Sequence, residues 1–240
     1  MHLSNAASMT ARILEGFVSS FEIIIVEDGS TDGTDVIAAR LAANYDYVEH
    51  LHSDVRQGFG NAVMRGFRAA SGDVLCFIDV DLATDMAHLQ ELIEYVGLEG
   101  YDFSIGSRMM PRSNAKRPFS RVVLSKCFNF LVRTFLRSKL YDHQCGFKAF
   151  KREPPFELLD LVEDEHWFWD TEFLVYAQLG GYSVKEFPVV WRHSGVTRVK
   201  VLRDSVVMGY GIFRLWWRLF VSPIFGHKRF LWLHRLFESS

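Results

Sequence analysis

The sequence predicts an α/β protein built on a mostly parallel, doubly wound sheet flanked by helices. Short apolar runs of strand length alternate with stretches at helical spacing from residue 21 to residue 191. Two of those runs are FEIIIV at 21–26, a β-branched run of strand length, and VLCFI at 74–78, which leaves no polar face, as expected of a strand covered on both sides. Both end in carboxylates, Glu27-Asp28 and Asp79-Val80-Asp81, at the edge where open α/β sheets bind ligands.

With 240 residues and 49% hydrophobic content, the chain can bury a full core, and it divides into a globular domain at 1–199 and a tail at 200–240. A net charge of −2 creates no field for nucleic acid, which is excluded as a partner. Three distant cysteines, Cys76, Cys127 and Cys145, support neither a disulfide framework nor a zinc site and fit a reduced, cytosolic setting. The first residues lack the character of a signal peptide, and no run of uncharged apolar residues is long enough to span a bilayer.

In order, residues 9–17 are expected to be helical and 21–26 to form a strand. The loop EDGSTDGT follows, where Gly29 and Gly33 allow tight turns and Thr34 caps a helix through Ile37 and Leu41. Its carboxylates, Glu27 and Asp28, suit hydrogen bonds from a nucleobase or ribose, against the plainer reading of an Asx-rich turn. The QGFGN loop then enters a helix with Ala62, Val63, Phe67 and Ala70 on one face, and Gly58 and Gly60 ahead of its N-terminus offer an approach for phosphate. At the end of the 74–78 strand, alternation sends Asp79 and Asp81 to the same side and holds two negative charges close together. A hard divalent ion, Mg²⁺ or Mn²⁺, is the natural partner; the alternative is a solvated turn. A helix at 86–96, a strand at 101–106 leading to Arg108, and a mobile basic loop at 109–117 come next. A helix at 119–137, the QCGFKAF segment, a helix near 156–162, a helix carrying Asp170 and a closing strand at 182–191 complete the domain.

EDGSTDGT, QGFGNAVMRGFRAASGD, FIDVDLATD, IGSR, DHQCGFKAF and WDTEF…KEFPVVW, in this order, resemble family 2 glycosyltransferases of the GT-A (Rossmann-like) fold. Within that family the chain is most similar to the dolichyl-phosphate glucosyltransferases and dolichol-phosphate mannose synthases. The resemblance implies that Glu27 and Asp28 hold the nucleotide, that Asp79, Val80 and Asp81 line the nucleotide sugar, and that Asp79 and Asp81 hold the metal on the donor diphosphate. It also implies an acceptor-phosphate site at Arg108, Arg121 and Ser125. The family opens with a strand and a Pro-x-Tyr-Asn-Glu loop that have no counterpart here, so the first strand is expected to be missing, through a short start or a loss of donor binding. Ala83 stands where mannose synthases often carry Gln, which removes one expected metal contact.

The reaction implied is inverting transfer of a hexose from UDP-glucose or GDP-mannose to a polyprenyl or dolichyl phosphate. The ionised acceptor needs no conventional base, only positioning and charge neutralisation. Arg198 joins the acceptor arginines on chemical grounds, and Asp170 is a candidate to orient sugar hydroxyls or act as a secondary base, against a helix N-cap role. His143 and Cys145 read as packing residues. In the tail, aromatic residues interleaved with arginines suggest amphipathic helices at the membrane interface, which places the protein peripherally at the cytoplasmic face. Two other classes remain open: a non-catalytic remnant, and a phosphatase of haloacid-dehalogenase type with Asp79 as nucleophile.

Overall fold

The computed structural model describes residues 2–153, 155–192 and 201–222. Arg198 and the tail from Pro223 onward, both invoked from the sequence, lie outside these residues. The elements in chain order are α1 (His2–Leu14), β1 (Ile23–Val26), α2 (Thr34–Asn44), β2 (Val48–Leu51), α3 (Phe59–Ala69) and β3 (Val74–Ile78). There follow α4 (Leu89–Gly97), β4 (Phe103–Ser107), β5 (Asn114–Lys116), α5 (Phe119–Phe135) and β6 (Phe147–Lys151). The last are α6 (Trp169–Leu179), β7 (Val184–Pro188), β8 (Val190–Arg192) and α7 (Val201–Trp216).

The α/β class holds, with a sheet more mixed than the alternation of elements suggests. β1 pairs in parallel with β2, β4 with β7, and β5 with β8, whereas β6 lies antiparallel between β3 and β4. The chain returns from α5 at the edge where β3 and β4 end, so β6 has to run back down the sheet. β2 has no strand signature in the sequence because VEHL is a half-exposed strand with two polar side chains. The basic 109–117 segment is not wholly a loop: β5 lies within it and is fixed by β8. Gly33, not Thr34, occupies the N-cap of α2, and Asp32 accepts from the Thr34 amide at 3.2 Å.

The main core sits between the mixed sheet and α3, α5 and α6. Phe67, Phe103, Phe150 and Phe173 are buried there, with the Phe67 and Phe150 rings edge to face at 4.8 Å and the Phe103 and Phe150 rings stacked at 5.6 Å. Trp169, at the start of α6, stands edge-on to Phe77 of β3 at 5.9 Å and ties that helix N-terminus to the strand carrying Asp79.

One face of α7 is folded onto the domain: Met208, Ile212 and Leu215 are buried. Arg214 Nη2 donates to Glu172 at 3.2 Å, and Arg218 bonds both Glu172 and Glu163. The other face leaves Val206, Tyr210 and Phe213 exposed, as is Trp217 just past the helix, and α5, packed beside it, exposes Phe119, Phe130 and Phe135. Among the described residues, no helix is long and apolar enough to cross a membrane.

Candidate active site

The ends of β3 and β4 and the start of β6 meet at one edge of the mixed sheet, and the N-terminus of α6 reaches the same place. Asp79 follows β3 directly, and its amide donates to the Gly146 carbonyl at 3.1 Å. Its carboxylate rests against Gly146 so closely that a Cβ there would lie 1.9 Å from Oδ2. Only glycine leaves that space. Burial, and then the neighbouring Asp81 charge, push the Asp79 carboxyl up to about 6, against the pull of Lys148 and Arg108. Asp81 is exposed, and its Oδ1 accepts from the Ala83 amide at 3.0 Å. Leu82, between them in the turn, takes a left-handed φ of 49°, a conformation rare for leucine that fixes how the loop leaves the strand. The Arg192 amide donates to the Ala83 carbonyl at 2.8 Å and anchors the far side of that loop to β8.

Two buried ion pairs frame these carboxylates. Lys148 of β6 donates to Asp170 at 2.6 Å, with both side chains almost wholly buried. Asp170 therefore sits in the first turn of α6 as a salt-bridge partner; the N-cap is Phe168. Burial raises the Asp170 carboxyl above the ordinary carboxylate range even though Lys148 opposes it. Arg108 forms a fork with Asp142: Nε donates to Oδ2 at 2.7 Å and Nη2 to Oδ1 at 2.8 Å. Burial alone would raise the Asp142 carboxyl, but Arg108 holds it far below the ordinary range. Asp79, Asp81, Arg108, Lys148 and Asp170 thus share one electrostatic neighbourhood.

A second set of cations lies beside Arg108. Arg117 donates through Nη1 to Ser125 Oγ at 3.2 Å, and its Nε is buried with no hydrogen-bond partner among the described residues. Burial, and then the charge of Arg108, lower the Arg117 pKa, with Arg121 acting in the same sense. Three arginines crowding one place fit a bound anion. Arg108, Arg121 and Ser125, singled out from the sequence, are brought together here, and Arg117 stands among them.

Glu27 and Asp28 end β1. Glu27 is buried; Oε1 accepts from the Ser30 amide and Oε2 meets His52 Nδ1 at 2.6 Å. Asp28 accepts from the Gln57 and Gly58 amides at 2.7 and 3.0 Å, clamping the loop before α3. Gly58 and Gly60 are accounted for by close packing: a Cβ would lie 2.4 Å from the Glu165 carbonyl at the first and 2.8 Å from the Trp169 side chain at the second. Asp28 also takes the Gly58 amide. Phe59, next in the chain, contacts Phe77 and Trp167 and links this loop to β3 and to the approach to α6.

His143 and Cys145 are packing residues. His143 Nδ1 donates to Asn129 at 2.7 Å and its Nε2 accepts from Ser138 at 2.6 Å, while burial pushes the ring down to about 3. Burial pushes the Cys145 thiol up to about 12, far from a nucleophile. Asp142, Lys148 and Arg117 received no role from the sequence. The signal for Lys148 was present: a lysine inside FKAF, a fully apolar strand, requires a buried counter-charge.

The fold and the charged sheet edge are of the α/β class, and the chain belongs to glycosyl transferase family 2, which it matches over residues 4–155. It is 53% identical over 223 residues to glycosyltransferase AglD of Haloferax volcanii, covering 92% of this chain and 36% of that protein. It is 31% identical over 212 residues to dolichyl-phosphate beta-glucosyltransferase of Drosophila melanogaster, covering 85% of this chain and 65% of that one. The chain thus spans between about one third and two thirds of the length of these relatives. Among solved structures, glucosyl-3-phosphoglycerate synthase from Mycobacterium tuberculosis with Mn²⁺, UDP and glucosyl-3-phosphoglycerate shares the fold at a TM-score of 0.59. That match is 19% identical and covers 90% of this chain and 76% of the other. Family membership removes the phosphatase alternative.

Replacing Asp142 by Ala leaves Arg108 buried without its fork, and loss of one partner of a buried pair costs about 3–5 kcal/mol. Denaturant unfolding of Asp142→Ala is expected to show a loss of that size; a change under about 1 kcal/mol would mean that water already screens the pair.

Proposed function

We propose that this protein transfers a hexose from a nucleotide sugar to a polyprenyl phosphate, with inversion at the sugar C1. The observation that carries the reading is the adjacency of two oppositely charged sites. Asp79 and Asp81 form a carboxylate pair at one strand end, and Arg108, Arg117 and Arg121 form a cationic cluster beside it. The names of the dolichyl-phosphate beta-glucosyltransferase and polyprenol monophosphomannose synthase relatives support the reaction class, with glucose and mannose both among the donors they imply.

The donor set fits a hard divalent cation, since a carboxyl raised by burial and by its neighbour's charge gains from a cation between the two. Asp79 and Asp81 would hold Mg²⁺ or Mn²⁺, which supplies charge neutralisation to the departing diphosphate; the Mn²⁺ and UDP named in the solved relative support this. Glu27 and Asp28 flank the nucleotide, with His52 and the Gln57–Gly58 amides fixing their carboxylates. Asp170, oriented by Lys148, accepts from sugar hydroxyls; it is not required as a base because the attacking phosphate oxygen carries no proton. Arg108 and Arg117 orient the acceptor phosphate together with Arg121, and Ser125 accepts from Arg117. Asp142 fixes the plane of the Arg108 guanidinium. In the step itself a phosphate oxygen bonds to C1, the C1–oxygen bond to the diphosphate breaks, and the nucleoside diphosphate leaves with the electron pair. The arrangement works by positioning and charge rather than by proton transfer.

The exposed aromatic faces of α5 and α7, interspersed with Arg121, Lys126 and Arg133, suit peripheral binding to an anionic membrane, where the lipid acceptor resides. The proposed site of action is the cytoplasmic face. A non-catalytic remnant would bind no nucleotide sugar.

One assay tests the proposal: the full chain with anionic liposomes containing polyprenyl phosphate, UDP-glucose or GDP-mannose, and Mn²⁺. Co-sedimentation and metal-dependent transfer are expected, with transfer abolished in Asp81→Asn. In Arg117→Ala the KM for polyprenyl phosphate should rise at least about tenfold while nucleotide-sugar affinity stays unchanged. Equal loss of donor affinity in Arg117→Ala would contradict the acceptor assignment, and absence of any nucleotide-sugar binding would favour the remnant.

A further inference from the structure

A second group of potential metal ligands lies at the ends of β1 and β2, apart from the Asp79–Asp81 pair. His50 and His52 alternate along β2 and its extension, so both rings fall on one face, and their centroids are 5.9 Å apart. The parallel register places Ile25 opposite His50, and the Glu27 amide donates to the Leu51 carbonyl at 3.0 Å, which sets the Glu27 carboxylate beside the same two rings. One ligand atom from each of Glu27, His50 and His52 lies within 4.8 Å of the others. Glu27 is buried, His50 is half-buried and His52 is exposed, so the cluster opens to solvent on one side only.

Two features go beyond proximity. His50 Nε2 is buried and has no hydrogen-bond partner among the described residues, a costly state for a ring nitrogen and one that a ligated ion would relieve. His52 has its Nδ1 against Glu27 at 2.6 Å and its Nε2 against Asp54 Oδ1 at 3.1 Å. A carboxylate on the ring nitrogen away from the ion is the usual outer partner of a metal-bound histidine, fixing its tautomer and orientation.

We propose that Glu27, His50 and His52 form a transition-metal site with Asp54 as outer partner and solvent completing the shell. Two imidazoles and one carboxylate suit Zn²⁺ or Co²⁺ rather than the hard ions suited to Asp79 and Asp81. Binding displaces the proton held between His52 Nδ1 and Glu27, which passes to solvent. Glu27 and His52 also border the proposed nucleotide site, but metal binding here is read without substrate and does not rest on the transfer reaction.

The test is a Co²⁺ titration of the full chain in excess Mg²⁺, read by the visible absorption of a low-coordinate Co²⁺ centre and by stoichiometry. One Co²⁺ per chain with that band is expected, displaced by Zn²⁺ and retained in Asp81→Asn. His50→Ala should weaken Co²⁺ binding at least about tenfold with an unchanged circular dichroism spectrum. If His50→Ala fails to fold, His52→Gln, at a half-exposed side chain, takes its place with the same expectation. No visible band in the wild-type protein, an undiminished band in the histidine variant, or a band lost in Asp81→Asn would overturn the site.

Discussion

The carboxylate of Asp79, pressed into a space where no Cβ fits, governs how this sheet edge is built. Gly146 has to be glycine because the carboxylate occupies the volume a side chain would need. The charge so desolvated is tolerable only because Lys148 and Arg108 stand near it, and each of those is itself held by a buried acid, Asp170 or Asp142. Removing any one of these groups leaves a charge without its counterpart, so the edge behaves as a unit. β6 is central to it: running antiparallel between β3 and β4, it delivers Gly146 and Lys148 to the place where the other two strands end.

Around this centre the chain sorts charge by sign. Acidic groups lie where β1 and β3 end; the arginines lie after β4 and along the first turns of α5. The nucleotide sugar and lipid phosphate of the proposed reaction are both anions, and they require different handling. The donor diphosphate departs with added charge and suits a cation held by carboxylates, whereas the acceptor phosphate must approach as an anion and suits arginines directly. The apolar faces of α5 and α7 border the arginine side, while Glu172 secures α7 through Arg214 and Arg218.

Much of this was legible in the sequence where the signal is local. The apolar run of β3 and the carboxylates at its end mark both a buried strand and a ligand edge within twelve residues, and the ordered motifs carried the family. Long-range facts were not legible. Lys148 and Asp170 are 22 residues apart, and Arg108 and Asp142 are 34 apart, so neither pair leaves a periodic trace. The direction of β6 depends on where its neighbours end, which no local pattern encodes. β2 escaped notice because a half-exposed strand with Glu49 and His50 has no apolar alternation to detect, and the Glu27–His50–His52 cluster was hidden with it. Gly58 and Gly60 carry a long-range constraint as well: glycines before a helix suggest an approach for phosphate, and the fold adds close packing against Glu165 and Trp169 that no local pattern encodes.

The central claim is that the geometry of Asp79 over Gly146 sets the capacity of this edge to hold a cation and, through it, the donor. Calorimetric titration of Gly146→Ala with UDP in the presence of Mn²⁺ tests it most directly, because the added methyl displaces the Asp79 carboxylate without removing any charge. The account predicts that Mn²⁺-dependent UDP affinity falls at least about tenfold, roughly 1.4 kcal/mol, while the variant remains folded. Wild-type affinity in a folded Gly146→Ala protein would contradict it.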